Sequence, residues 1–206
     1  MKPYFAFFIL TFFIMAQTTA QHENPKETVS NPELPYYQIP PYPETYNSGT
    51  VAARIVDGLG FRYYWATEGL RDKDLKFKPT EEARTSRETL DHIYGLSRLI
   101  VNAASRKANE PRPDEKDMTF KQTRAKTLQN LKKASDLLKD SGDNDMIELN
   151  IIYKRGENTT EFPFWNVING PIADAIWHVG QIVSFRRSSG NPFNSKVSVF
   201  NGKLRE

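Results

Sequence analysis

The stretch TSRETLDHIYGLSRLIVNAA, positions 85–104, decides the fold class. Thr85 and Glu88 stand at the spacing of a capping box, where hydroxyl and carboxylate each satisfy a backbone amide and start a helix. From there His92, Leu96, Leu99 and Ala103 recur at i, i+4, i+7 and i+11, one stripe of a 3.6-residue repeat. Such a stripe needs other helices to cover it, and His92 heads the inward-facing row.

Three further segments carry helical signals. One is capped at Ser48 and runs to about Leu70, with Val51, Ile55, Val56, Leu59 and Tyr63 at helical spacing. Another spans Thr119 to Ser141, with Leu128, Leu131, Ala134 and Leu138 apolar and Gly142 as its stop. The last opens on Pro171, which suits a first helical position, and closes at Gly190 and Pro192. Its apolar face is Ile172, Ile176, Val179, Ile182 and Val183, and Asp174, His178, Gln181 and Phe185 run along one edge. Between these two, Ile147, Leu149 and Ile151 alternate with Glu148 and Asn150, and 155–158 reads as a turn. Residues 146–167 are therefore read as a short hairpin or extended excursion, and Val197 to Phe200 as one short strand near the end. The pattern predicts an all-α protein, a four-helix bundle with a short β-hairpin or extended insertion before the last helix.

The two ends of the organisation are also legible. Lys2, the apolar run Tyr4 to Met15, and small residues at Thr18 and Ala20 read as a signal peptide over 1–20. The run is shorter than the roughly 20 residues a membrane span needs. The expectation is an exported chain, secreted or periplasmic, that leaves the membrane once the signal is cleaved. Residues 21–48 carry prolines at 25, 32, 35, 40, 41 and 43 and tyrosines at 36, 37, 42 and 46. They read as an extended tether, with a strap along the domain surface as the alternative. The folded domain is expected over 49–206. Asn158-Thr159-Thr160 is a glycosylation sequon at the expected hairpin tip.

Composition excludes several function classes. The 206-residue chain has a formal charge of +3, which becomes +2 without Lys2, and its acids and bases are interspersed. That gives no electrostatic footprint for nucleic acid. The basic run Arg124 to Lys133 and the pair Arg186-Arg187 read as a solvated helix face and a last helical turn. The chain has no cysteine, which removes disulfides, thiolate zinc sites and a thiol nucleophile. It also lacks a Gly-x-Ser-x-Gly elbow, a His-Glu-x-x-His pair and a P-loop, and Gly58 and Gly60 alone make no dinucleotide fingerprint.

What remains is a candidate metal-ligand set. Asp174 and His178 are four residues apart, one above the other on a helix face, and both can reach a common ion. With His92 packed opposite, they form an N,N,O site; His22, in the Pro-rich stretch, stands apart. Each residue also has a purely structural reading. His92 can be a buried histidine satisfied by a carbonyl or a tyrosine, Asp174 an acid favoured in a first helical turn, and His178 an edge-packing residue.

Taken together the residues resemble the DinB-like (YfiT-like) superfamily of metal-binding four-helix-bundle proteins. The resemblance covers roughly residues 49–190. It runs through GFRYYWATEGL (60–70), Phe77-Lys78-Pro79, Leu90-Asp91-His92-Ile93 and His178-Val179-Gly180-Gln181-Ile182. The last segment is similar to the His-Arg-Gly-Gln-Ile that ends the family's metal motif. The resemblance implies one divalent ion, often zinc or nickel, held by three histidines, and often a homodimer. His92 matches the first ligand and His178 the third, while the middle one is Asp174, a departure. Two imidazoles and a carboxylate suit zinc, nickel, manganese or ferrous iron.

Three protein ligands leave a coordination position for water or substrate. The implied activities are hydrolysis, or thiol-dependent transfer or isomerisation, on a small molecule. The alternatives are a metal- or ligand-binding module without turnover and a structural protein with a degenerate site. Asp91, Glu88 and Gln181 are the candidate supports around the ligands.

Overall fold

The structure is a computed structural model that describes residues 34–110 and 117–206. The expected signal peptide and the first part of the expected tether lie outside the described residues. The described residues are mostly helical with small sheets, and their four long helices are α1 (Ser48–Thr67), α3 (Ser86–Ala104), α4 (Phe120–Lys139) and α6 (Ala173–Ser188). Shorter pieces are α2 (Asp72–Leu75) and α5 (Phe164–Val167).

The caps explain where the long helices begin. Thr85 and Glu88 form the expected capping box of α3, and Thr119 with Gln122 forms another at α4. At α1 the cap is Asn47, one residue before the expected Ser48, and it is reciprocated by Thr50. The last helix departs most. Pro171 does not open it. The helical path starts at α5, passes through a π-helical turn over Ile168–Ile172 that contains Pro171, and continues as α6. Proline has no amide hydrogen to give, so a wide turn accommodates it where a regular turn would lose a bond. At its far end α6 closes as expected: Gly190 has φ +80°, its amide donates to Arg187 O, and Asn191 donates to Arg186 O. These two bonds make a Schellman motif.

The long helices pack in a ring, α1 against α4 and α6, and α3 against α4 and α6. Arg87 near the start of α3 donates to Met118 O and Thr123 at the start of α4, and Asn130 bonds Ser97 midway, so these two run parallel. The core between them is Val56, Leu59, Tyr63, Leu90, Ile93, Ile100, Leu128, Leu131, Leu138, Val179 and Ile182. Ile55 and Ile176 were expected inside but stand at the rim, each 37 % exposed.

Two arginines from the basic runs are not solvated. Arg124 donates to Thr67 Oγ1, Tyr64 O and Glu68. Arg186, 5 % exposed, donates to the carbonyls of Trp65 and Ala66 and to Asn191. Arg186 thereby satisfies two carbonyls that the end of α1 leaves without helical partners, while Arg124 ties the same end to α4.

The expected excursion is a hairpin, but shorter. Residues 145–148 form a 3-10 turn, which leaves Ile147 78 % exposed, and pairing begins only at Ile151. Strands β2 (Ile151–Arg155) and β3 (Asn158–Phe162) are antiparallel around Gly156-Glu157, with Gly156 at φ +61° as a two-residue loop requires. A third strand, β1 (Ala108–Asn109), pairs parallel to β2. The expected strand near 197–200 is the first half of a small hairpin, β4 (Val197–Ser198) with β5 (Lys203–Leu204).

From residue 34 the Pro/Tyr-rich segment packs as the strap and not as the tether. Tyr36 is buried against Gly60, where a Cβ would sit 2.5 Å from its ring, and its hydroxyl donates to Asp57 Oδ1 at 3.1 Å. Trp65 donates to Tyr37 O, Arg54 to Pro40 O, and Ile39 N to Gly202 O. The strap thereby covers α1 and joins the carboxy-terminal hairpin.

Asp74 of α2 ties the end of α1 to the end of α6. Its buried carboxylate accepts from Arg71 N, Nε and Nη2, from Ser189 Oγ at 2.6 Å and from Asn191 Nδ2 at 2.7 Å. The Arg71 guanidinium, assisted by these other donors, holds its carboxyl well below the usual carboxylate range. A depressed folded-state pKa gives stability that is present above the unfolded value, about 3.9, and lost as pH falls through the folded one. Wild type should therefore lose melting temperature as pH drops below about 4. Asp74→Asn should start lower and lose less over the same range, read by thermal unfolding against pH.

Candidate metal centre

His92 enters from the second turn of α3, and Asp174 and His178 from α6, which packs against it. The three side chains converge. His92 Nε2 lies 3.2 Å from Asp174 Oδ2, and His178 Nε2 lies 3.3 Å from Asp174 Oδ1. One ligand atom from each residue can be chosen so that all fall within 4.8 Å of one another. The two imidazoles meet edge to face, centroids 4.7 Å apart at 86°. His178 is the most enclosed, with 16 % of its side chain exposed against 35 % for His92 and 39 % for Asp174.

The two His–Asp spacings, each to a different carboxylate oxygen, match those of neighbouring donors on one ion. Bonds of about 2.1 Å at tetrahedral or octahedral angles put neighbouring donor atoms about 3.0–3.4 Å apart. Gln181 Oε1 stands 2.7 Å from His178 Nδ1, so the tautomer with its proton on Nδ1 donates to it and leaves Nε2 as the nitrogen that faces Asp174.

Of the supports suggested by sequence, only Gln181 joins the site. Asp91 is held by Arg87 at 2.9 Å, and Glu88 is used in the cap of α3. Asp174 does not owe its place to a helix N-terminus either, because the helical path begins earlier, at Phe164. His22 lies outside the described residues.

A cleft of 450 Å³ opens beside His92, walled by α3, the end of β1 and the outgoing end of β2. Sequence reasoning missed it because Asn109, Glu110, Tyr153 and Arg155 reach His92 only through strand pairing. A larger apolar cavity of 630 Å³ lies elsewhere, among Val51, Ile55, Ile147, Phe164 and Trp165. It includes none of the three converging residues, so size alone does not mark the site. No helix among the described residues is long and apolar enough to cross a membrane. No family model, curated protein or solved structure is significantly similar to the chain.

Proposed function

We propose that the chain is an exported DinB-like four-helix-bundle protein that binds one divalent ion through His92, Asp174 and His178. In this reading the ion serves a hydrolase or thiol-type transferase reaction on a small molecule. The observation that carries it is the convergence of two imidazoles and a carboxylate from two helices within a few ångströms. The donor set suits zinc, nickel, manganese or ferrous iron alike, and the resemblance to the DinB-like superfamily puts zinc or nickel first.

When bound, such an ion polarises a substrate oxygen or activates a water or thiol. The chain's own residues do the rest. His92 and His178 present neutral nitrogens, Asp174 contributes the charge that offsets the ion's, and Gln181 fixes the tautomer and orientation of His178. The cleft supports turnover over simple storage, because His92 lines a space large enough for a small molecule.

The test uses untagged protein loaded with zinc or nickel, assayed for ester hydrolysis and for conjugation of a small thiol to an activated aryl halide. Turnover should require the ion, vanish on chelation, and be lost in His92→Ala while far-UV circular dichroism stays unchanged. Turnover indifferent to both chelation and His92→Ala would sink the reading.

A further inference from the structure

The cleft beside His92 has a charge balance and a floor that bear on what it accepts. Its charged lining is Arg98, Lys154 and Arg155 against Asp91 and Glu110. Both acids are committed: Asp91 pairs with Arg87 at 2.9 Å, and Glu110 with Lys154 at 3.7 Å. Arg155 has no carboxylate or carbonyl partner among the described residues. It is exposed at the end of β2 and lines both this cleft and an adjoining depression of 340 Å³ with Tyr153, Asn158 and Thr160. A guanidinium is a planar fork of donors whose geometry matches a carboxylate or phosphate.

Gly95 supplies part of the floor, one turn beyond His92. A glycine inside a helix costs about 1 kcal/mol relative to alanine. At Gly49 and Gly60 close packing accounts for it, but a Cβ at Gly95 would meet nothing within 4 Å. Its effect is to leave the helix backbone open to whatever enters next to the imidazole.

We infer that this cleft binds a small organic oxyanion, a carboxylate- or phosphate-bearing molecule, with its charge on Arg155 and its body over Gly95 beside His92. Calling that anion the substrate rests on the proposed metal function; the anion preference is a property of the cleft and is measurable with or without the ion.

Glutarate, glutaramide and 1,5-diaminopentane are a dianion, a neutral molecule and a dication of similar length. Each is titrated at low ionic strength into chelator-treated and zinc-loaded protein by calorimetry, with backbone amide shifts locating the site. Glutarate should bind at least about ten-fold more tightly than glutaramide in both forms, a difference of about 1.4 kcal/mol. The diamine should bind more weakly still. Arg155→Ala should erase the preference, and Gly95→Met, which fills the floor, should weaken glutarate binding. Equal binding of all three, no binding, a preference for the diamine, or a preference that survives Arg155→Ala would each overturn the inference. Metal content is measured separately. A chain that holds no ion yet selects glutarate through Arg155 supports the anion site and rejects the metal function.

Discussion

His178→Ala is expected to weaken binding of a divalent ion by a factor on the order of 100–1,000, read by competition with a chelator. Four-ligand zinc sites are worth about 10–16 kcal/mol, or roughly 3 kcal/mol per ligand, and each 1.4 kcal/mol is ten-fold. His178 is the proposed ligand to remove because it is the most enclosed of the three and, among the described residues, has its second ring nitrogen held, by Gln181 at 2.7 Å. Its loss takes away the donor that is already oriented. Melting of the metal-free protein should move little, since the ring sits at the edge of the core. An unchanged affinity would mean that whatever binds the ion lies elsewhere.

Gly49→Ala is expected to cost about 3 kcal/mol, at the upper end of what overpacking a helix contact costs. Gly49 lies in the first turn of α1, where a Cβ would overlap the carbonyl oxygens of Leu138 and Ser141. Those atoms are backbone and cannot rotate away. The same junction is held by Ser48, whose amide and hydroxyl both donate to Asp143 Oδ1, at 2.9 and 2.5 Å. A loss of that size is a large part of a typical stability of about 5–15 kcal/mol. Gly95→Ala is the internal control. The same change in open space should stabilise by about 0.5–1 kcal/mol. Urea unfolding measures both, and equal shifts in one direction would contradict the close approach of α1 to the end of α4.

Gly49 and Gly95 look alike in the sequence, and only the approach of the Leu138 and Ser141 carbonyls to the first tells them apart. The capping residues Thr85 and Glu88, the stripe below them and the i, i+4 step of Asp174 and His178 are local, and each was legible from spacing alone. The convergence of His92 with that pair was legible only as a possibility, because it depends on α3 and α6 packing side by side. Pro171 misled because a proline at a helix start and one inside a π turn look alike until the residues before it are known to be helical. Arg186 misled because its partners, the carbonyls of Trp65 and Ala66, are far away in the chain. Tyr36 hides for the same reason. A proline-rich neighbourhood signals extension, and only the bare face at Gly60 and the carboxylate of Asp57 convert it into a buried contact.

Elemental analysis of untagged protein, wild type beside Asp174→Ala, tests the central claim most directly. Asp174 stands between both imidazoles, at 3.2 and 3.3 Å, and is the proposed ligand that departs from the histidine the resemblance implies. The expected result is one divalent ion per wild-type chain and far less in the variant, with both folded. Wild type that takes up no ion after exposure to zinc and nickel, or a variant that holds as much as wild type, would contradict the account.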